Sequence, residues 1–124
     1  MELTYICSRF RSDKKYSYEF HQLVAAAMCR TLIKESEGTK FPIAPHLYMP
    51  QFMDDNRDDE RQLACEIGIK ALLKCSRMKV AVVDGIISEG MLAEIYAAQE
   101  ANIPIDFFYC TKDEMEEIIT EMFR

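Results

Sequence analysis

Glu94 is an acidic residue with no local partner. On a helix its neighbours three and four places away are Gly90, Met91, Ala97 and Ala98, none basic and most small. It closes an S-x-G-x-x-x-E pattern made by Ser88, Gly90 and Glu94, just after the apolar run Val80-Ala81-Val82-Val83. Ser88 suits a helix N-cap, and Gly90 leaves room for something to approach the first turn. A carboxylate so placed sits over a hollow near strand ends. Partial burial raises its pKa, and contacts from a bound ligand restore the anion. The competing reading is an ordinary solvent-facing helix Glu. A second cluster, Ser8, Arg9, Arg11 and Ser12, follows the short apolar run Leu3–Cys7. Two hydroxyls, two guanidiniums and loop N–H groups can meet a phosphate there. The competing reading is a solvated basic turn. No GxxxxGK[ST] or GxGxxG occurs, so an ATPase or dinucleotide-binding oxidoreductase is not supported.

The elements that must hold these residues alternate. Leu3–Cys7 reads as a strand. Phe20, Leu23, Val24, Ala27, Met28, Thr31 and Leu32 recur with helical spacing, and Gly38 is a fitting C-terminal stop. Phe41–Ala44 reads as a second strand, with His46–Met53 a loop after it. The charged stretch Asp54–Glu60 leads into a helix faced by Leu63, Ala64, Ile67, Ala71 and Cys75. Lys79–Asp84 reads as a central strand covered on both faces. A helix from Ser88 to about Ala101, a strand over Ile103–Phe108 and a last helix with Met115, Ile118, Ile119, Met122 and Phe123 complete the chain. The order β-α-β-α-β-α-β-α predicts a small doubly wound, flavodoxin/Rossmann-like α/β fold. Its parallel sheet has four or five strands with helices on both faces, and residues 1–124 form a single domain. In such sheets ligands bind at the carboxyl ends of the strands, where strand order reverses. Residues 8–15, 44–49 and 84–90 then share one rim.

Composition narrows the classes. The chain has 124 residues, 49% hydrophobic and 29% charged, which fits one globular domain. No apolar run approaches the roughly 20 residues of a membrane span, and no secretory signal is expected from MELTYICSRF. A net charge of −6 argues against a charge-driven nucleic-acid binder. The cysteine count is odd, and the five residues Cys7, Cys29, Cys65, Cys75 and Cys110 include no CxxC pair or Cys/His ligand spacing. Most read as small buried hydrophobes in a reducing, cytoplasmic compartment, with no disulfide framework, metal site or cofactor expected.

The chain resembles the nucleoside 2-deoxyribosyltransferase superfamily, including the 2′-deoxynucleoside 5′-monophosphate N-hydrolases. The resemblance spans about residues 3–108. It is carried by Tyr5-Ile6-Cys7-Ser8-Arg9-Phe10-Arg11-Ser12, by Ser88, Gly90 and Glu94, and by the apolar helix and strand Ile95–Ile105. Ala44-Pro45-His46-Leu47 and the helix ending in Lys74-Cys75 are similar to a poorly characterised bacterial and phage branch. The resemblance implies a retaining glycosyl mechanism on a nucleoside or nucleotide, by cleavage or 2-deoxyribosyl transfer, with Glu94 as nucleophile and Tyr5 orienting the carboxylate or the sugar. It further implies that Ser88, Arg11, Ser8 and Ser12 hold a 5′-phosphate, with Arg9 in the same loop, and that Gly90 lets the sugar approach. It implies no metal, no nucleic-acid or membrane partner, and a homodimer or higher homo-oligomer in which Thr111 and Tyr109 of a neighbour close the pocket.

Two departures from the family pattern stand out. The family usually carries an Asp in the helix before the third strand, where an ungapped reading puts Gly68. Glu66 is nearby, but two residues turn a helix by about 200°. Asp54, Asp55, Asp58 and Asp59 reach the site only if their loop folds over it. A missing acid weakens leaving-group protonation, a step worth about 10²–10⁴-fold. The first loop also has Ser8 and Arg9 where the family prefers small residues. His46 either contacts a base or is structural; His21 is read as structural. Tyr48, Met49 and Phe52 are either a lid over a base or packing residues. Two non-catalytic readings stand beside the enzyme: a nucleotide or ADP-ribose-type binding module using the same pocket, and an oligomeric scaffold.

Overall fold

The computed structural model describes residues 1–124. Four strands, β1 (Glu2–Cys7), β2 (Lys40–Ile43), β3 (Arg77–Val83) and β4 (Ile105–Cys110), form one sheet in the order β2-β1-β3-β4. Every pairing is parallel. Five helices connect and flank them: α1 (Tyr18–Glu35), α2 (Pro45–Tyr48), α3 (Asp58–Leu72), α4 (Glu89–Glu100) and α5 (Lys112–Met122). This is the doubly wound α/β arrangement that the alternating pattern predicts, with four strands.

The period-two alternation of β3 divides the interior. Ala81 and Val83 join Ile6 under α1 and α5, against Val24, Ala27, Met28, Met115 and Ile119. Met78, Val80 and Val82 join Tyr5 and Cys7 under α3 and α4, against Leu72, Met91, Ile95 and Ala98. The unbroken apolar run of β3 thus follows from cover on both faces. The cysteines divide: Cys7 and Cys75 are buried, Cys29 and Cys110 are half-buried, and Cys65 is exposed.

Some boundaries differ from the sequence expectation for local reasons. The last strand starts at Ile105, not Ile103, because the Ile103 N–H closes the end of α4 on the Ala98 carbonyl at 2.9 Å and Pro104 has no N–H to give the ladder. α1 stops at Glu35, before Gly38. The chain then reverses through Glu37 and Gly38, both left-handed (φ 53° and 78°), with the Gly38 N–H on the Ile33 carbonyl at 2.9 Å. The expected loop after β2 contains α2, opened by Pro45 in the first turn, and a 3-10 turn over Met49–Gln51.

The rim at the carboxyl ends is pinned by Asp84, which follows β3 with a left-handed φ of 54°. Its carboxylate accepts from the Tyr16 hydroxyl and from the Lys112 N–H at 2.9 Å, and Lys15 pairs with it at 3.4 Å. Arg9 lies over the Tyr16 ring, 5.0 Å from its centroid. The loop after β1, the end of β3 and the start of α5 are therefore tied at one point.

α3 is anchored at its carboxyl end by Leu72, which is fully buried. Leu72→Ala is expected to lower unfolding free energy by about 2–5 kcal/mol in urea titrations, because the cavity forms in a close-packed layer.

Candidate active site

Tyr5 and Cys7 are two residues apart on β1 and so share the sheet face beneath α3 and α4. Tyr5 is 1% exposed, and its hydroxyl donates to the Glu94 carboxylate, which α4 lowers toward the sheet. α4 is started by Ser88, whose hydroxyl accepts from the Met91 N–H at 3.3 Å, so Glu94 falls a little more than one turn inside the helix. Desolvation raises the Glu94 pKa; the hydrogen bond from Tyr5, and more weakly the nearby Cys7 thiol, oppose that rise, while that thiol donates to the Met91 carbonyl at 3.8 Å. The Tyr5 and Cys7 pKa values are pushed up, first by burial and then by the Glu94 charge, so both stay protonated donors at neutral pH. None of the ion pairs in the chain involves Glu94.

Gly68 of α3 is buried and faces this pair. A Cβ built there meets the Tyr5 hydroxyl at 3.5 Å and the Glu94 Oε2 at 3.9 Å. The position where the ungapped reading looked for a second acid is thus beside Glu94, and it carries no side chain. Glu66 is exposed. Asp58 and Asp59 pair with Arg61 and Arg57, while Asp54 and Asp55 reach the cleft wall.

The cleft above Glu94 has a volume of about 680 Å³. β1 and its loop supply Tyr5, Ser8, Arg9, Phe10 and Arg11; α3 supplies Ala64, Cys65, Gly68 and Ile69; the start of α4 supplies Ser88 and Gly90. A Cβ at Gly90 meets nothing within 4 Å, so the approach to the first turn is open. His46 and Met49 line the opposite wall. Ser12 lies in an adjoining groove with Phe10, Arg11, Tyr18 and Phe52, not in the cleft itself. Of the apolar trio Tyr48, Met49 and Phe52, only Met49 is buried and on the cleft wall; the other two are exposed.

The polar rim is already internally paired. Ser8 is buried and its hydroxyl lies 2.9 Å from His46 Nε2. Desolvation, then the charge of His21, holds the His46 pKa down to about 4, so the ring is neutral at pH 7. Arg9 pairs with Asp13 at 2.7 Å, and Arg11 with Asp55 at 3.1 Å. His21 is buried against Tyr16 and Phe20, away from the cleft, and its Nε2 has no partner. Sequence reasoning missed the Asp84–Tyr16 tie and the contribution of Cys7. The two-residue spacing of Tyr5 and Cys7 was a usable signal for Cys7; nothing local marks Tyr16 as Asp84's partner.

Chemically, the arrangement offers one oriented, partly desolvated carboxylate under an open cleft, with hydroxyl, imidazole and guanidinium groups on the rim. Such a group can act as a nucleophile or a base. No group of three or more His, Cys, Asp or Glu side chains is placed to hold a metal ion.

The fold and site define a Rossmann-like α/β domain with a carboxylate at the strand ends. Residues 2–108 match the model of a domain of unknown function, DUF7768, and the chain belongs to that family. No curated protein matches the chain. A solved structure, the 2-deoxyribosyltransferase of the psychrotolerant bacterium Bacillus psychrosaccharolyticus, superposes with a TM-score of 0.66 at 11% identity. The superposition covers 88% of this chain and 73% of that one. The two share their fold, which is the fold the sequence resemblance implies. No helix is long and apolar enough to cross a membrane.

Two titrations are expected to leave opposite marks on stability. His46 has a folded pKa below its ordinary 6.5, so its contribution is complete above that value and is lost as pH falls through about 4. His46→Gln is expected to flatten that acid-side slope in urea titrations across the window. Glu94 has a raised folded pKa, so its contribution is present below its ordinary 4.5 and is lost as pH rises through the folded value. Glu94→Gln, which keeps an acceptor for Tyr5, is therefore expected to raise the melting temperature at pH 7.

Proposed function

We propose that this chain cleaves or transfers the N-glycosidic bond of a 2′-deoxynucleoside or its 5′-monophosphate, with Glu94 as nucleophile. The observation that carries the reading is the buried Tyr5–Glu94 hydrogen bond at the floor of an open cleft at the strand ends. A carboxylate oxygen of Glu94 attacks the anomeric carbon as the base departs through an oxocarbenium-like state. Water or a second base then resolves the glycosyl ester. Tyr5 fixes the carboxylate and favours its ionised form. Gly90 admits the sugar, and Ser88, Ser8, Arg9 and Arg11 face the 5′ end, with Ser12 in the adjoining groove. His46, neutral and held by Ser8, contacts the base. The deoxyribosyltransferase-like fold supports this assignment, as does the order of Tyr5, Ser88, Gly90 and Glu94 along it. The whole chain acts as a single domain of this type, with a nucleoside or nucleotide as its small-molecule partner and no metal or cofactor.

A homodimer or higher oligomer belongs to the same proposal. Leu92 and Tyr96 on α4 and Phe107 and Tyr109 on β4 are exposed apolar residues that a second copy can cover. A competing reading, favoured by the bare Gly68, is a module that binds a nucleotide or ADP-ribose-type ligand without cleaving it. It is marked by ligand-dependent thermal stabilisation without product.

Base release from a panel of 2′-deoxynucleosides and their monophosphates, followed by chromatography, tests the enzyme. Glu94→Ala is expected to lower the rate on the order of 10⁴-fold or more. Tyr5→Phe is expected to cost about a hundredfold and to move the acid limb of the pH profile upward, because Tyr5 holds the Glu94 pKa down. No release by the native protein, or release unaffected by Glu94→Ala, overturns the reading.

A further inference from the structure

We propose that the cleft is built for N-glycosides whose leaving group already carries a positive charge, the N-glycosyl pyridinium class, rather than for those whose base must be protonated to depart. The inference rests on the glycosyl reading of Glu94 and names the substrate class of that same site.

Three observations support it. The first is what faces the carboxylate. From β1 come Tyr5, which donates to Glu94, and Cys7, whose thiol donates to the Met91 carbonyl at 3.8 Å; both are held protonated. From α3 comes Gly68, and the next α3 residues toward the cleft mouth are Ala64 and Cys65. No carboxylic acid or protonated imidazole stands beside Glu94 to give a proton to a departing ring nitrogen. The remaining acids of the wall are committed elsewhere or exposed. Glu60 holds Arg57 at 3.2 Å and the Asp54 N–H at 3.1 Å. Asp55 holds Arg11, Asp54 accepts from the Asn56 N–H, and Glu89 is exposed in the first turn of α4. His46 is neutral and bound to Ser8.

The second observation is charge. The wall carries five carboxylates, Asp54, Asp55, Glu60, Glu89 and Glu94, against three guanidiniums, Arg9, Arg11 and Arg61. A cationic ring is the better electrostatic fit. The third is that Glu94 is desolvated and lacks any cationic partner in the chain. A cationic substrate supplies that counter-charge and favours the ionised carboxylate that the chemistry needs.

The bond changes balance without an acid. A Glu94 oxygen bonds to C1′ as the C1′–N bond breaks, and the bonding pair returns to the ring nitrogen. That nitrogen loses its formal charge, and a neutral pyridine leaves. Water then attacks C1′, the ester C1′–O pair returns to Glu94, and the proton of the water passes to solvent. The net reaction consumes glycosyl pyridinium and water, and yields free sugar, neutral pyridine and a proton.

The test compares nicotinamide mononucleotide and its 2′-deoxy analogue with 2′-deoxyadenosine and 2′-deoxyuridine 5′-monophosphates, from about pH 5 to about pH 9. A pyridinium glycoside is expected to be cleaved at least about a hundredfold faster than the neutral-base compounds. Its kcat/KM should rise with Glu94 ionisation and then stay level, with no alkaline fall. Gly68→Asp, which supplies the acid, is expected to raise cleavage of the neutral-base compounds about tenfold or more without raising that of the pyridinium glycosides. Gly68→Asn, of similar size, is expected to give no such gain. Neutral-base compounds cleaved as fast as the pyridinium ones by the native protein, or an alkaline limb in the pyridinium profile, overturn the inference and leave the glycosyl reading standing. Cleavage of neither class overturns the glycosyl reading itself.

Discussion

Tyr5 donates to Glu94 from within a layer that is otherwise apolar, and most of the site's geometry answers to that bond. A carboxylate taken from water without a partner costs several kcal/mol or neutralises itself. Here the phenol of Tyr5 meets the charge, while the Cys7 thiol holds the Met91 carbonyl of α4, and Met91 and Ile95 on either side of Glu94 bury α4 against the sheet. Opposite, Gly68 keeps α3 from crowding the pair. The result is a carboxylate fixed in direction and only partly solvated, as a nucleophile or base requires.

The rim is organised differently. Exposed Arg11 rests on half-buried Asp55, and Arg9, largely covered by the Tyr16 ring, on exposed Asp13. A surface cation such as Arg11 gains little from its pair, about 0–1 kcal/mol, so an incoming anion can exchange places with Asp55 at small cost. The Ser8–His46 contact is another matter. Ser8 is buried, and the imidazole is kept neutral by desolvation, so that part of the wall is a fixed hydrogen-bonding surface rather than a charged one. Asp84 does the corresponding structural task, tying the loop after β1 to α5 through Tyr16 and Lys112.

How far the sequence could be read depended on whether the informative contacts were local. The unbroken apolar run of β3 announced a strand covered on both faces, and Met115 and Ile119 announced the inner stripe of α5. Ser88 was legible as a cap because capping involves residues three places apart. Glu94 was legible as unusual because no helical neighbour could pair with it. Against that, the short helix α2 was hidden in a segment too brief to show periodicity, and Pro104 shifted the last strand by cutting the ladder. Cys65 also lies exposed on α3, although Leu63 and Ala64 precede it.

The sequence by itself determined the element order, the parallel α/β class and the meeting of three loops at one rim. Those follow from hydrophobic period and crossover handedness, which are properties of short stretches of chain. Only the tertiary structure decided that Glu94 turns inward to Tyr5, 89 residues away, that Gly68 stands over both, and that Ser8 meets His46 across the rim. Each of those contacts joins elements distant in the chain. Their existence depends on how α3 and α4 settle onto the sheet, a matter of packed shape that no local spacing encodes.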